Sequence, residues 1–286
     1  MSYMARNASE LAGRTVMVTG AARGIGAATA RAVSARGARV ALVGLEPERL
    51  DALAAELPDA AWFEADVTSW DDLQAAAQGT VDRLGGIDVV VANAGIARSG
   101  TVQDMPIEDF ERIVEVNLLG VWRTIRTMLP HVVERRGYVI PIASIYTALH
   151  GPLSAPYAVA KAGVEALANV LRVEVAGQGV GVGVAYFSYL DTDLVRDVFA
   201  DPEVAEIRRR AGWPLNVTSP VEPAVEALVR GIERRARTVA YPRWVHGLLA
   251  GRGLAQPLAE ATRMKRIAAE VGRRRAQESP APLRRA

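Results

Sequence analysis

The stretch TVMVTGAARGIG, residues 15–26, decides the fold that we predict for this chain. It starts with a β-branched run at residues 15–19, passes through Gly20, Gly24 and Gly26, and enters an alanine-rich segment. Glycines let a chain turn tightly, and the free N–H groups at the start of a helix attract phosphate groups. Glycine-rich turns are common, but one between a strand and a helix has the context that a dinucleotide-binding turn requires. The stretch therefore predicts a strand, a phosphate-binding turn and a helix.

Outward from this stretch, short β-branched runs alternate with longer amphipathic segments. Consecutive apolar residues, as in Val89-Val90-Val91, are typical of strands that helices cover on both faces. The alternation predicts an α/β fold with a doubly wound, Rossmann-like parallel sheet of about seven strands. Strands are predicted at residues 15–19, 39–43, 61–65, 87–92, 138–143, 180–187 and 238–241, and helices at residues 25–36, 47–57, 71–84, 107–134, 155–176 and 223–234. We expect one such domain over residues 1–242, followed by a basic C-terminal helical extension over residues 243–286.

Composition excludes several classes of site. The 286 residues include no cysteine, which rules out disulfides, thiolate metal sites and cysteine nucleophiles. The three histidines, His131, His150 and His246, lack the spacing of metal ligands, and no metal site is predicted. Apolar runs stay well below the roughly 18 residues of a membrane span, and residues 1–10 lack the apolar core of a signal peptide. These features predict no transmembrane segment and a cytoplasmic location.

Charge is nearly balanced overall but uneven along the chain. The net charge of +2 provides no global basic field, so no nucleic-acid partner is expected. From residue 263 onward, basic residues greatly outnumber the two acidic residues, Glu270 and Glu278. The basic residues are Arg263, Lys265, Arg266, Arg273, Arg274, Arg275, Arg284 and Arg285. A solvated or frayed terminal helix is the favoured interpretation. Peripheral contact with an anionic surface or substrate is the alternative, and raised salt would weaken it. The terminal Ser279-Pro280-Ala281-Pro282 is predicted to be disordered.

Tyr157 and Lys161 lie four residues apart on a predicted helix, and Ser144 lies thirteen residues before Tyr157. Residues at this spacing share a helix face, so the phenol and the ammonium can approach each other. A nearby cation favours phenolate and lowers the phenol pKa from its reference of about 10. The pair therefore predicts a proton donor and acceptor for a carbonyl or alcohol, with Ser144 as a candidate to hold the substrate oxygen. A surface tyrosine beside a snorkelling lysine is the structural alternative.

Taken together, these motifs resemble the short-chain dehydrogenase/reductase family of the single-domain type. The resemblance covers about residues 13–240. It rests on the Gly20/Gly24/Gly26 spacing, Asp66-Val67, Asn93-Ala94-Gly95, Asn117, Ser144, Tyr157, Lys161 and Asp191-Thr192. It implies an NAD(P)-dependent oxidoreductase that interconverts a ketone and a secondary alcohol by hydride transfer.

The resemblance also implies roles for individual residues. Tyr157 would exchange the proton, Ser144 would stabilise the substrate oxygen, and Lys161 would hold the nicotinamide ribose. Asn117 would hold a water that links Lys161 to solvent; it also interrupts an amphipathic helix and is expected to mark a kink. Thr192 would contact the nicotinamide carboxamide, or would cap the following helix instead. The implied cofactor-binding set is Gly20, Arg23, Gly24, Ile25, Gly26, Asp66, Val67, Asn93, Ala94, Gly95, Tyr157, Lys161 and Thr192.

Two departures from the family pattern bear on the cofactor. Gly44 and Leu45 stand where an Asp that favours NAD, or an Arg that favours NADP, is common in the family. Glu46 would repel the 2′-phosphate of NADP, whereas Arg23 would attract it. These two side chains favour opposite cofactors, and of the two we favour NAD. In addition, Phe187-Ser188 replaces the Pro-Gly pair that usually follows the sixth strand.

The substrate is expected between residues 145–156 and residues 193–215, beyond the carboxyl ends of the strands. Most candidate side chains there are apolar, which predicts an apolar small molecule: Leu149, Leu153, Leu194, Val195, Val198, Phe199 and Trp213. His150 is expected to face solvent. A non-catalytic, dinucleotide-binding redox sensor and a sugar-nucleotide epimerase are the competing classes. The resemblance further implies a homotetramer or homodimer packed through the helices at 107–134 and 155–176.

Overall fold

The fold is described from a computed structural model, which covers residues 9–254, 257, 265–266, 269–271 and 273–274. The predictions made for residues 1–8, for the terminal Pro-rich stretch and for five charged residues lie outside these described residues. The five are Arg263, Arg275, Glu278, Arg284 and Arg285. Among the helices of the described residues, none is both long enough and apolar enough to cross a membrane.

The centre of the molecule is a parallel sheet. Six strands pair in the order β3-β2-β1-β4-β5-β6: β1 (Thr15–Thr19), β2 (Arg39–Gly44), β3 (Ala60–Glu64), β4 (Val89–Ala92), β5 (Tyr138–Pro141) and β6 (Gly181–Val182). Two further strands, β7 (Val184–Phe187) and β8 (Thr238–Tyr241), pair with each other in parallel. The Ala143 N–H donates to the Ala185 carbonyl at 2.7 Å, which joins β7 to the end of β5. The predicted doubly wound, Rossmann-like α/β fold is therefore confirmed.

One predicted strand, residues 180–187, is divided by Gly183 into β6 and β7. The reason is a neighbouring side chain: the Tyr138 hydroxyl donates to the Ala236 carbonyl at 2.7 Å beside Gly183. A Cβ at Gly183 would collide with both groups. The strand is therefore interrupted at Gly183, where the Tyr138 hydroxyl lies against the backbone.

Helices cover both faces of the sheet, as predicted. Met17 and Val90 point into one core cluster, whereas Val16 and Val18 point into the other. The helices are α1 (Gly24–Ser34), α2 (Pro47–Glu56), α3 (Trp70–Leu84), α4 (Ile107–Val114), α5 (Gly120–Glu134), α6 (Ala155–Glu174), α7 (Asp193–Phe199), α8 (Pro202–Ala211), α9 (Val221–Glu233) and α10 (Trp244–Ala250). Helices α1 and α9 pack together on one face, and α3, α5 and α6 on the other.

Two differences from the sequence prediction concern helices. The single helix predicted at 107–134 is interrupted by a π-helical turn, Glu115–Leu119, which separates α4 from α5 around Asn117. Such turns widen a helix locally and often occur at functional sites. Helices α7 and α8 occupy the region predicted only as a substrate-covering segment. Helix α10 follows β8, with Val245 fully buried and Trp244 packed on the core.

Candidate active site

A cleft of about 530 Å³ opens at the carboxyl ends of the parallel strands. This is the edge of a parallel sheet where ligands are expected to bind. Most of the residues predicted for cofactor and substrate line it: Gly20, Arg23, Gly24, Ile25, Asp66, Val67, Asn93, Ala94, Gly95, Ser144, Tyr157, Lys161 and Thr192. Two predicted residues, Gly26 and Asn117, do not line the cleft and lie behind it.

The glycine-rich turn between β1 and α1 is shaped to admit a ligand. Gly20 and Gly24 have φ angles of +64° and +53°, in the left-handed region that favours glycine. A Cβ on Gly20 would lie 2.8 Å from the Cα of Ala94, and one on Gly26 would collide with the Gly20 carbonyl. No side chain caps the first N–H groups of α1, whose N-cap residue is Arg23. Open N–H groups beside a turn that a Cβ would fill fit the pyrophosphate of a dinucleotide.

Asn93 holds this turn in place from the end of β4. Its Nδ2 donates to the carbonyls of Thr19 and Gly20 at 2.9 and 3.2 Å. Its own backbone N–H donates to the Thr19 hydroxyl at 3.1 Å. Asn93, which the resemblance implies as a cofactor-binding residue, therefore also holds the glycine-rich turn in place.

Asp66 lies at the opposite side of the cleft, after β3. One carboxylate oxygen accepts hydrogen bonds from the Thr68 N–H and hydroxyl, both at 2.8 Å, and the other lies 3.2 Å from Arg112. Burial alone would raise the pKa of Asp66, but the hydrogen bonds from Thr68 and the charge of Arg112 outweigh it and lower that pKa. Asp66 is therefore an ionised hydrogen-bond acceptor at the end of the cleft.

Arg23 and Glu46, whose opposing charges left the cofactor preference open, form an ion pair with each other. The Arg23 Nε donates to a Glu46 carboxylate oxygen at 2.9 Å, and a second bond links the same two groups. Arg49 approaches the Glu46 carboxylate at 3.2 Å, and Asp193 lies 3.8 Å from Arg23. The guanidinium predicted to bind a 2′-phosphate is thus already paired with a carboxylate.

At the other end of the cleft, Ser144 and Tyr157 lie together. Ser144 caps a short 3-10 turn, Ile145–Thr147, and accepts the Tyr146 N–H at 3.3 Å. Tyr157 is half-buried at the start of α6. Burial raises its pKa to about 12, and a hydrogen bond with Ser144 acts in the opposite direction. The two hydroxyl groups therefore lie within hydrogen-bond distance of each other in the cleft.

Lys161 lies one turn further along α6 and is 4% exposed. Its Nζ donates to the Ile142 carbonyl at 2.7 Å and lies 5.6 Å from the centre of the Tyr157 ring. Burial lowers the pKa of Lys161 to about 8. The sequence led us to expect that Lys161 would lower the phenol pKa. In the folded chain burial dominates both groups, and the phenol pKa lies above its usual value.

Asn117 occupies the π-helical turn and is fully buried. Its Oδ1 accepts the Ile96 N–H and its Nδ2 donates to the Ile96 carbonyl, both at 2.8 Å. The expected kink is therefore present, and it turns Asn117 towards the loop after β4. The predicted link through water to Lys161 stays a prediction.

Thr192 caps α7 by accepting the Val195 N–H at 3.3 Å, which is the capping role named as the alternative to cofactor contact. It also lines the cleft.

Three aromatic residues surround Tyr157 or line its side of the cleft, and the sequence predicted only one of them for the site. Tyr146 contacts Tyr157 edge to face, Tyr189 contacts Tyr146 and Phe199, and the Tyr146 and Tyr189 hydroxyls are 3.1 Å apart. Only Phe199 was predicted as part of the substrate wall. The signal for the other two was their position two residues after Ser144 and two residues after Phe187.

Most, but not all, of the apolar side chains predicted for the substrate wall line the cleft. Leu153, Leu194, Val195, Val198 and Phe199 line the cleft, together with the unpredicted Val204. Leu149 does not line it, and Trp213 is 77% exposed because it lies beyond the end of α8. His150 is exposed, as expected.

The Phe187-Ser188 pair introduces a hydroxyl at the inner wall. Ser188 is 9% exposed, lines the cleft, and has no hydrogen-bond partner for its Oγ among the described residues. Its backbone N–H donates to the Tyr241 carbonyl at 3.0 Å. A buried hydroxyl without a partner is destabilising unless a ligand satisfies it. Ser188 is thus a candidate to hydrogen-bond a group bound in the cleft.

Comparisons with known proteins show which family this chain resembles. Residues 14–203 match the family model of the short chain dehydrogenases. Nodulation protein G of Rhizobium sp. (strain N33) is 35% identical over 218 residues, which cover 74% of this chain and 89% of that protein. The 3beta-hydroxysteroid dehydrogenase 1 of Eggerthella lenta is 32% identical over 208 residues, which cover 70% of this chain and 80% of that protein. The crystal structure of levodione reductase, 26% identical, superposes with a TM-score of 0.74 over 81% of this chain and 96% of that chain.

Proposed function

Because this chain belongs to the short-chain dehydrogenase family, we propose that its cleft interconverts a ketone and a secondary alcohol on an apolar, ring-shaped small molecule. Membership makes it an oxidoreductase that acts on CH–OH groups with a nicotinamide dinucleotide. One observation carries the finer assignment. The hydrogen-bonded pair Ser144 and Tyr157 lies next to Lys161 in the same cleft as the glycine-rich turn.

In the proposed reaction, a bound nicotinamide ring supplies or accepts the hydride. The Ser144 and Tyr157 hydroxyls donate hydrogen bonds to the substrate oxygen, where negative charge develops during reduction. Tyr157 then gives its proton to that oxygen as general acid. Lys161, with a pKa of about 8, is the nearest buried amine and is placed to take part in restoring that proton. Asn117 keeps the loop after β4 in position through its two hydrogen bonds to Ile96.

We propose a ring ketone or ring alcohol as substrate because of the walls around Tyr157. The aromatic edges of Tyr146, Tyr189 and Phe199 stand on one side, and Leu153 and Val204 belong to the same cleft. Flat apolar rings pack well against aromatic edges. Two relatives are named for activity on a hydroxysteroid and on levodione, which supports an apolar ring for this chain.

The test is replacement of Tyr157 by Phe, with turnover measured over a panel of cyclic ketones and secondary alcohols. General acid catalysis typically contributes about 100- to 10,000-fold, so turnover should fall by that order. Binding of the reduced dinucleotide, followed by its fluorescence, should be retained. Tyr186→Phe is the matched control, because Tyr186 donates to Glu165 away from the cleft. Full activity in Tyr157→Phe would refute the assignment; dinucleotide binding without turnover in the wild type would favour the redox-sensor alternative.

We propose NAD rather than NADP as the preferred cofactor. Glu46 engages Arg23 and would face an added 2′-phosphate with its negative charge. Glu46→Gln should release Arg23 and move the ratio of the two dissociation constants towards NADP. Glu56→Gln, which breaks the comparable ion pair with Arg31 on the outer surface, should leave the ratio unchanged. An intrinsic preference for NADP, or an unchanged ratio in Glu46→Gln, would contradict the proposal.

We also propose that the chain forms a homodimer or homotetramer through α6. Val159, Val170 and Val173 recur at helical spacing on α6 and are exposed, with Val173 at 78%. Burial of such residues against a second copy is favourable by about 25 cal/mol per Å². Light scattering of the wild type and of Val170→Asp should show assembly that the charged variant weakens.

A further inference from the structure

Helix α8 separates the substrate end of the cleft from the outer surface. Val204 lines the cleft, and Ile207, three residues further along the same helix, is buried in a small apolar cluster against which Val204 packs. The N-terminal end of α8 is fixed by Asp201, which accepts the Ser99 hydroxyl at 2.6 Å. The position of α8 therefore sets the position of part of the substrate wall.

Residues from the far C-terminal region contact the outer side of α8. Glu270, Val271 and Arg274, called here the C-terminal clasp, are helical in the structure. Val271 is 1% exposed and lies in one apolar cluster with Leu153 and Ile207, against which Val204 packs. Leu153 and Val204 are also cleft residues. The clasp thus contacts, from outside, side chains that form the inside of the substrate wall.

Charged residues join the clasp to α8 in a closed network of four. Arg210 lies 2.9 Å from Glu270, and Arg274 lies 3.1 Å from Glu206. Within each helix, Arg210 pairs with Glu206 and Arg274 with Glu270 at four-residue spacing. Single exposed ion pairs add little stability, but a network of fixed geometry sets the register between two helices. The two arginines and two glutamates balance in charge.

Leu153 connects this contact to the chemistry. It has a φ angle of +64°, which is unfavourable for a residue with a Cβ and is maintained only by its surroundings. Its carbonyl accepts the Gly100 N–H at 3.1 Å, and α6, which holds Tyr157, begins two residues later. Packing of Val271 on Leu153 is one of the contacts that maintain this backbone.

We propose that the C-terminal clasp determines substrate size by holding α8 and Leu153 against the substrate end of the cleft. Its three members are positioning residues, since none of them lines the cleft. The family match ends at residue 203, so the clasp lies beyond the part of the chain that the family model covers. The effect on substrates rests on the proposed function, whereas the contact with α8 does not.

The first experiment needs no substrate. Hydrogen exchange of the full chain should be several-fold faster at the α8 amides in Val271→Ser and in Arg274→Gln than in the wild type, because local opening becomes easier. Arg273→Gln is the matched control, since Arg273 is an exposed arginine next to Arg274. Unchanged exchange at α8 in both clasp variants would overturn the proposal, whether or not the chain reduces ketones.

The second experiment compares KM and kcat for cyclohexanone and for a fused two-ring ketone. In the clasp variants, the KM ratio between the two ketones should shift by about tenfold in favour of the larger one, as expected for a changed apolar wall. The kcat for cyclohexanone and the dissociation constant of the dinucleotide should stay at wild-type values. Faster exchange with an unchanged KM ratio would overturn the role in substrate size. Absence of turnover in the wild type would instead refute the proposed function.

Discussion

Replacement of Lys161 by Met should stabilise the protein at neutral pH. Lys161 is 4% exposed, and burial lowers its pKa from 10.5 to about 8. The folded protein therefore binds the proton of this amine about 2.5 pH units less tightly than the unfolded chain does. Each unit corresponds to about 1.4 kcal/mol, so the charged lysine destabilises the fold by about 3 kcal/mol at pH 7. Methionine has a similar length and no charge to desolvate.

The sign of the pH dependence follows from the same shift. Between pH 8 and pH 10.5 the unfolded chain holds a proton on Lys161 that the folded protein has released. Wild-type stability must then rise with pH in this window, relative to a variant without the amine. The methionine variant also loses the hydrogen bond to the Ile142 carbonyl, worth about 1 kcal/mol at every pH. The advantage of Lys161→Met should therefore be about 2 kcal/mol near pH 7 and should disappear, or reverse slightly, above pH 10.5.

Urea unfolding of both proteins, at intervals from pH 7 to pH 10.5, measures this difference directly. Comparing the two proteins at each pH cancels the titration of all other groups. The sequence offers a matched control, because Lys265 is its other lysine and is exposed. Lys265→Met, which removes an exposed amine, is measured over the same pH range for comparison. If the stability difference between the wild type and Lys161→Met is constant from pH 7 to pH 10.5, the amine titrates normally and our reasoning about its burial is refuted.

Three further outcomes are expected. Gly26→Ala should abolish dinucleotide binding in a fluorescence titration, because the added Cβ would collide with a carbonyl of the glycine-rich turn. Gly177→Ala is the control: its added Cβ has open space around it, so this variant should bind normally. Tyr138→Phe should lower the free energy of unfolding by about 1–3 kcal/mol, because it leaves a buried carbonyl without its donor; a change near zero in urea unfolding would contradict this. Asn117→Leu should weaken dinucleotide binding and accelerate hydrogen exchange at the Ile96 amide, to which Asn117 bonds; unaltered exchange there would exclude the bracing role.

The central strands β1, β2, β4 and β5 were predictable because nearly every residue in them is buried, so that their sequences are largely apolar on consecutive residues. Helix α8 was not, since five of its ten residues are charged and its apolar Ile207 contacts a segment more than sixty residues away. A local signal was present: Asp201 followed by Pro202 is typical of a helix start, and Asp201 does accept the Glu203 N–H at 2.9 Å. The π-helical turn was anticipated only as a kink at Asn117. In the folded chain Asn117 accepts a hydrogen bond from the Ile96 N–H, and the spacing of apolar residues along a helix does not reveal this contact.

The site shows a different limit of sequence reasoning. Spacing on α6 correctly predicts that Tyr157 and Lys161 share a face, but it does not predict how far either is buried. Two groups with similar reference values, 10.0 and 10.5, are shifted by burial in opposite directions, to about 12 and about 8. The phenol thus holds its proton firmly while the amine is the group nearer to titration at neutral pH. In this state Tyr157 is ready to protonate a ketone, whereas removal of a proton from an alcohol requires positive charge close to the phenol. The protonation states of the two groups are therefore set by burial and by the charge of what binds beside Tyr157, and not by the Tyr–Lys spacing itself.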